Sequence, residues 1–346
     1  MIAGINSVFS DDIAIDLGTA STILQVTNHE LVLTEPTVVA IHNRNGIREA
    51  LAVGNRAKQI LGRTPEMIEA IHPLRDGVIA DLIVTEEMLC QLIRKIKTRF
   101  SFRRPRILVC IPPGATPVER QAVYDTTFSA GARKVYLIEG PVAAAFGVGL
   151  DVNQEKATTV IDIGSGTTDI VVMSAGGILL ARSLRCAGNV MNEAIIHFIR
   201  RKHQMHIGER SAEKIKIHVG AMLTVKKESS TEIRIRGLDI CNGRSKNIVL
   251  SQTDIIDALK GPVEKITEFV RRSIEDLPSD IIEEIFDNGI YLTGGGANMS
   301  SIDTELEKRL EGIGITVPEN PMYCVIKGMA SVLKNLKYHN HLLIKP

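Results

Sequence analysis

The chain has 346 residues, with 41 basic and 40 acidic side chains and a formal net charge of +1. That length holds two domains of ordinary size with a sizeable core, and the charge balance gives no global electrostatic reason to bind nucleic acid. Aromatic residues make up 4% and Trp is absent, which argues against stacking platforms for single strands.

Taken in chain order, short apolar runs at 13–17, 23–26, 31–33 and 37–41 are separated by turn residues, so the chain opens as a meander of strands. Residues 85–98 carry Met88, Leu89, Leu92, Ile93 and Ile96 at helical spacing, with Thr85 placed to cap. A buried strand at 107–111 stops at Pro112-Pro113-Gly114, and a helix over 117–130 ends before Gly131. A strand at 135–138 leads into a helix over 141–147. A second meander opens at 158, with partner strands at 170–174 and 178–184. Helices follow near 189–203 and 209–222, then a hairpin of 231–236 and 246–250 across Cys241-Asn242-Gly243. Helices near 252–275 and 278–286, a strand at 289–293 and a helix over 324–337 complete the reading.

Meander then helices, twice over, implies an internal duplication: two α/β domains facing one another across a cleft. No Pro- or Ser-rich linker separates them, so they are expected to be hinged rather than tethered. No apolar run approaches the ~18 residues that cross a bilayer, and the first residues lack the features of a signal peptide. The five cysteines, Cys90, Cys110, Cys186, Cys241 and Cys324, form no CxxC and mostly sit in apolar runs. They read as reduced core residues of a cytosolic protein.

Two distant stretches repeat one pattern. Ile13-Ala14-Ile15-Asp16-Leu17-Gly18-Thr19-Ala20-Ser21-Thr22 and Thr159-Val160-Ile161-Asp162-Ile163-Gly164-Ser165-Gly166-Thr167-Thr168-Asp169 each join a β-branched run ending in Asp to a glycine turn and a second strand-like run. A third glycine turn follows in Leu292-Thr293-Gly294-Gly295-Gly296-Ala297. Glycine lets backbone N–H groups approach phosphates, and the Ser and Thr hydroxyls add donors. An Asp at each strand end suits Mg²⁺, which keeps several waters and needs few protein ligands. Alone, either Asp reads as a turn residue; the pairing is what points to a polyphosphate held from two sides. A dinucleotide fingerprint does not fit, because Gly164-Ser165-Gly166 runs into Thr167-Thr168-Asp169 without the third glycine.

The ordered set of these three motifs resembles the actin, Hsp70 and sugar-kinase superfamily. Leu33-Thr34-Glu35-Pro36-Thr37-Val38-Val39-Ala40, Leu61-Gly62-Arg63-Thr64-Pro65, Asp76-Gly77-Val78-Ile79-Ala80-Asp81 and Ile207-Gly208-Glu209-Arg210-Ser211-Ala212-Glu213 narrow it to the MreB family of bacterial actins. The resemblance implies an actin-like α/β fold, two duplicated ribonuclease-H-like domains around a nucleotide cleft, each with a small subdomain. Domain I would take 1–145 and 316–346, with its small subdomain at about 33–74. Domain II would take 146–315, with its small subdomain at about 182–244. ATP and Mg²⁺ are the implied cofactors. Thr19, Ala20 and Ser21 with Ser165, Gly166 and Thr167 would hold the phosphates. Glu213, Lys214, Ile215 and Lys216 would meet ribose and adenine, and Gly296, Ala297, Asn298 and Met299 would border the adenosine. Asp16 and Asp162 would hold Mg²⁺ through water.

One departure bears on hydrolysis. The family usually reads Ile-Glu-Glu-Pro where this chain has Ile138-Glu139-Gly140-Pro141. The second Glu, by resemblance, positions the attacking water, and Gly140 has no side chain for that task. Glu139 is the neighbouring substitute, although adjacent strand positions point to opposite faces. Asn189 and Asn192, where the family usually has Asp, and Ser165, where it has Gly, are lesser departures.

The most basic stretch runs from Arg94 to Arg106 and carries Phe100 and Phe102. It suits either insertion into an anionic membrane surface or a solvated helix end whose Phe pair folds onto the core. The uncharged segment 1–9 suits either a short anchor or a frayed tail. His197, His203, His206 and His218 lie at no metal-ligand spacing. The resemblance implies a filament of copies of this chain at the inner face of the membrane, acting with membrane-bound cell-elongation proteins and not with nucleic acid. Two other readings share the superfamily. A small-molecule kinase would need an acceptor pocket and a catalytic acid near the γ-phosphate, and a chaperone-type ATPase would need a substrate-binding domain after Pro346.

Overall fold

The two β-branched runs that end in Asp16 and Asp162 each become the middle strand of a five-stranded sheet, and the two sheets are built in the same order. The computed structural model describes residues 12–27, 32–44, 47–60, 68–96, 104–152, 154–220, 232–299 and 301–346. In the first half, β1 (Ile13–Leu17), β2 (Ser21–Val26) and β3 (Val32–Pro36) form the expected meander. Then β4 (Val39–Arg44), β5 (Ile47–Val53), α1 (Asn55–Ile60) and β6 (Ile68–Ile71) make a separate small unit with strand order β5-β4-β6. A short hairpin, β7 (Leu74–Arg75) and β8 (Val78–Ile79), leads to α2 (Leu82–Ile96), β9 (Arg106–Ile111), α3 (Pro117–Ser129), β10 (Lys134–Glu139) and α4 (Gly140–Val148).

The second half repeats this with β11 (Thr158–Ile163), β12 (Thr168–Ser174), β13 (Gly177–Leu184) and α5 (Gly188–His203). A small unit of β14 (Met205–His206), α6 (Glu209–Gly220), β15 (Ile233–Asp239) and β16 (Ser245–Leu250) follows. Then come α7 (Gln252–Glu275), α8 (Ser279–Asn288), β17 (Ile290–Thr293), α9 (Ile302–Arg309), β18 (Ile315–Thr316) and α10 (Cys324–Lys334). The first sheet has the order β10-β9-β1-β2-β3 and the second β18-β17-β11-β12-β13. In each, the middle strand is antiparallel to the meander side and parallel to the crossover side. The duplication expected from the sequence is therefore present strand for strand.

Three large apolar clusters carry the two sheets, and a fourth, small one around Val38, Ala40, Ala52 and Ala57 lies in the β4–β6 unit. Of the three, one lies under the first sheet against α2 and α3, another under the second against α5 and α7. The third lies between the sheets. It joins Ala14, Ile23, Leu108 and Ile138 to Val160, Val171 and Met173 through α4 and α10. Each fully buried Leu, Ile, Val or Met in such a cluster contributes about 1.5–3 kcal/mol. Helices α4 and α10 are in backbone contact: a Cβ on Gly147 would lie 1.8 Å from the Cys324 carbonyl oxygen, and one on Gly328 1.7 Å from that of Ala143. The chain passes between the sheets at α4 and returns at α10, so this close-packed pair joins them.

Some boundaries differ from the sequence reading. Helix α2 begins three residues earlier than expected. Its cap is Asp81, whose Oδ1 accepts from the Val84 N–H at 3.1 Å. Thr85 is buried inside the helix and donates back to the Asp81 carbonyl at 2.6 Å. The run at 37–41 is not a fourth strand of the meander. Strand β4 leaves the first sheet and nucleates the small unit beside it. Helix α10 stops at Lys334, short of the expected 337. Among the described residues no helix is long and apolar enough to cross a membrane.

Candidate functional site

A cavity of about 630 Å³ opens between the two sheets. Its floor is the pair of hairpin turns. Asp16, Gly18, Thr19, Ala20 and Ser21 come from the β1–β2 turn, and Asp162, Gly164, Ser165, Gly166, Thr167 and Asp169 from the β11–β12 turn. The turns touch: the Ala20 N–H donates to Ser165 Oγ at 3.0 Å, and the Gly77 N–H donates to Thr19 Oγ1 at 3.0 Å. Gly166 permits that approach, since a Cβ there would lie 2.7 Å from Thr19 Oγ1 and 2.9 Å from Asp76 Cα.

Other elements enclose the space. Helix α5 starts on the second turn, with the Gly188 and Asn189 N–H groups bonded to the carbonyls of Gly164 and Ser165 at 3.2 and 2.8 Å. From α6, Glu213, Lys216 and Ile217 face the cavity, and Lys216 Nζ donates to the Gly188 carbonyl at 2.8 Å. Burial lowers the Lys216 pKa, opposed by the charges of Glu213 and Glu209. The glycine turn after β17 adds Gly294, Gly295, Gly296, Asn298 and Met299. Gly294 sits at φ +86°, where a Cβ would lie 2.4 Å from the Ile163 carbonyl oxygen, so no other residue fits.

The floor is rich in carboxylates. Asp16 accepts from the Cys110 thiol at 3.1 Å, and Asp162 from Thr293 Oγ1 at 2.8 Å. Burial pushes Asp16 up to about 6; the thiol hydrogen bond opposes this and the negative charge of Asp162 adds to it. Burial also raises Asp162. Asp169, opposite Asp162 in the strand register, is pushed up to about 7 by burial, with Ser183 opposing and Asp162 adding. Carboxylates held this way favour a proton or a nearby cation. Turns that present N–H and hydroxyl groups beside them favour an anion. The two together suit a metal-bound polyphosphate. Among the described residues no group of three or more His, Cys, Asp or Glu side chains is gathered for a metal. Two carboxylates with bound water fit Mg²⁺, which needs fewer protein ligands.

The expected residues divide by where the structure puts them. Asp16, Thr19, Ala20, Ser21, Asp162, Ser165, Gly166, Thr167, Glu213, Lys216, Gly296, Asn298 and Met299 line the cavity. Lys214 points to solvent and Ile215 is buried in the core, because on a helix only positions three or four apart share a face. Ala297 is buried beneath its turn. Glu139 ends β10 and is outside the lining, whereas Gly140 is part of it. The Glu139 carboxyl lies near Arg120, with Oε2 buried and without a hydrogen-bond partner, and burial raises its pKa. Phe100, Phe102 and segment 1–9 lie outside the described residues.

Residues not expected also line the cavity: Asn55 and Lys58 from α1, Cys110, Gly77 and Asp169. Asp169 was legible as the last residue of the repeated motif. Nothing local marks Asn55 or Lys58. They arrive because Glu35, 3% exposed, accepts from the Asn55 N–H at 2.7 Å and from Lys95 of α2, fixing α1 over the opening. Cys110, read from its apolar run as a core residue, stands at the cavity wall.

The chain matches the profile of the MreB/Mbl protein family over residues 10–341. It is 41% identical over 343 residues to the cell shape-determining protein MreB of Escherichia coli (strain K12), covering 98% of each chain. With the cell shape-determining protein Mbl of Bacillus subtilis (strain 168) it shares 40% identity over 329 residues, 95% of this chain and 97% of that one. The crystal structure of MreB5 of Spiroplasma citri bound to AMPPNP superposes with a TM-score of 0.87 at 30% identity, covering 96% of this chain and 98% of that one. The same protein bound to ADP gives the same values. A MamK double helical filament matches with a TM-score of 0.77 at 17% identity, covering 94% of this chain and 99% of that one, a likeness of fold alone.

Proposed function

This chain belongs to the MreB/Mbl protein family and has the actin-like fold, and from that premise we propose that it binds ATP in the cavity between its sheets and polymerises into filaments that direct cell shape. The observation that carries the reading is the pair of mirrored hairpins meeting at one cavity, each with a half-buried Asp at its strand end. Thr19, Ala20 and Ser21 hold the phosphates from one side, and Ser165, Gly166 and Thr167 from the other. Glu213 and Lys216 meet the ribose and base, and Gly296, Asn298 and Met299 border the adenosine. Asp16 and Asp162 hold Mg²⁺ through water; when bound, the ion offsets the charge of the polyphosphate. The nucleotide keeps the two halves, residues 1–145 with 316–346 and residues 146–315, closed on one another.

In this reading hydrolysis is slow. The cavity wall that would carry the water-orienting carboxylate is Gly140, and Glu139 lies outside the lining. The filaments lie on the inner face of the membrane through the basic segment around Phe100 and Phe102, and act there with membrane-bound proteins of cell elongation. A kinase reading has less support, since the relatives at 40% identity or more reported above are cell shape-determining proteins.

Titration with a fluorescent ATP analogue, with and without Mg²⁺, tests the assignment. Wild type is expected to bind more tightly with Mg²⁺, and Asp162→Ala to lose that dependence. Unchanged affinity and Mg²⁺ dependence in the variant would remove the cleft assignment.

A further inference from the structure

Helix α10 begins beside the cavity, where Val325 is part of the lining, and its 11 residues carry the chain about 16 Å away. The residues that follow, 335–346, therefore dock at the end of the molecule remote from the cleft. They are held there at several points. The Ile344 N–H donates to the Leu137 carbonyl at 2.9 Å, an antiparallel bridge on the outer edge of β10. Leu342 is 5% exposed, and with Leu336 and Leu343 it joins the apolar cluster between the sheets. The His339 ring packs edge-on against Phe146 of α4 at 4.8 Å, and the Lys345 carbonyl accepts from Arg120 at 3.4 Å.

One further contact reaches the other half. His341 Nε2 donates to the Gly176 carbonyl at 3.2 Å, in the turn between β12 and β13. That turn is itself anchored: the Ala175 N–H bonds to the Gln154 carbonyl at 2.7 Å and the Gly176 N–H to that of Val152 at 2.8 Å. A single short segment thus touches the edge strand of one sheet, a turn of the other, and the helix that joins them.

We propose that residues 335–346 form a strap that ties the two sheets together behind the α4–α10 pivot and limits how far the cleft opens. Opening the cleft rotates one sheet against the other about the contact of α4 with α10. A link across the far side of that pivot changes length in the motion. Its contacts are all made in the arrangement where the hairpin turns also touch, so the strap stabilises that arrangement over a more open one. Removing the strap shifts the balance toward opening without altering any residue of the cavity.

Amide hydrogen exchange on the nucleotide-free, full-length protein tests this. Peptides covering 18–21 and 164–167 report closure, because the Ala20 N–H is bonded across the cleft to Ser165. Two variants release the strap at different points: His341→Ala removes the link to the second half, and Ile344→Pro removes the N–H that bonds Leu137. In His341→Ala, exchange at the Ala20 amide is expected to quicken roughly two- to tenfold, the share of one hydrogen bond in a closing equilibrium. Ile344→Pro should quicken it at least as much. Faster exchange confined to 134–139 and 175–176, with 18–21 and 164–167 unchanged, would mean the segment is only a local cover and would overturn the proposal. If Ile344→Pro does not fold, His341→Ala alone decides. The readout needs no nucleotide, so it stands or falls separately from the assignment of the cavity.

Discussion

On the proposed reading of the cavity, placing a carboxylate at position 140 should raise the rate of ATP hydrolysis. Gly140 is the first residue of α4 and lines the cavity. A Cβ built there meets nothing nearer than the Ile111 carbonyl oxygen at 4.0 Å, and Gly140 is not among the residues at positive φ. Gly140→Glu is therefore free of backbone strain. A negative charge at the helix N-terminus contributes about 0.3–1 kcal/mol of stability. A water-orienting group is worth ~10²–10⁴-fold in rate, or about 3–5 kcal/mol of barrier. The new carboxyl would sit near Asp162 and Asp169, whose negative charges raise its pKa. The gain at neutral pH should fall at the lower end, about a hundredfold, and grow with pH as the introduced carboxyl ionises. Steady-state phosphate release for wild type beside Gly140→Glu is the assay, with binding of a fluorescent ATP analogue showing that affinity is unchanged. A folded variant that binds nucleotide yet turns over no faster would mean that another group orients the water, and the reasoning from Gly140 would fail.

Three further outcomes follow from particular residues. Asp16 has a folded pKa of about 6 against an ordinary 3.8, so the folded state keeps its proton longer than the unfolded chain. Stability of the nucleotide-free, metal-free protein should fall as pH rises through that window, by at most about 3 kcal/mol. Asp16→Asn should melt with wild type near pH 4 and a few degrees above it at pH 8; an equal difference at both pH values would contradict the assignment. Gly328→Ala drives a Cβ to 1.7 Å from the Ala143 carbonyl oxygen, so α4 and α10 must separate, at a cost above the ~1–3 kcal/mol of ordinary overpacking. Melting within a degree of wild type would show that the pair is not close-packed. Replacing both Phe100 and Phe102 with Ser should reduce co-sedimentation with anionic vesicles, leaving a salt-sensitive remainder from the basic residues. Equal sedimentation at every salt concentration would exclude that segment as the anchor.

Much of this protein is written in patterns that span a few residues. The β-branched run, Asp and glycine turn around Asp16 and again around Asp162 are covalently local, so the strand, the turn and the strand-end acid could be read directly. Their repetition at one spacing of elements gave the duplicated fold and the cleft between its halves. The glycine turn at 294–296 could be read as a turn in the same way, but the approach of the Ile163 carbonyl that excludes a side chain at 294 belongs to the tertiary structure. What needed the tertiary structure lies where two distant segments meet. Strands β3 and β4 are separated by two residues yet belong to different sheets, because register and packing, not β propensity, choose the partner strand. Cys110 sits in an apolar run like a core residue, and only the approach of Asp16 makes it part of the cavity wall. Helical phase sends Lys216 inward and Lys214 outward, and that phase is set by how α6 lies on α5. Asn55 and Lys58 reach the opening only because Glu35 and Lys95 anchor α1 there, and His341 meets Gly176 across 165 residues of chain. Local chemistry decides which elements form; the contacts that assemble a site depend on how buried surfaces from remote elements fit, and a linear pattern does not encode that fit.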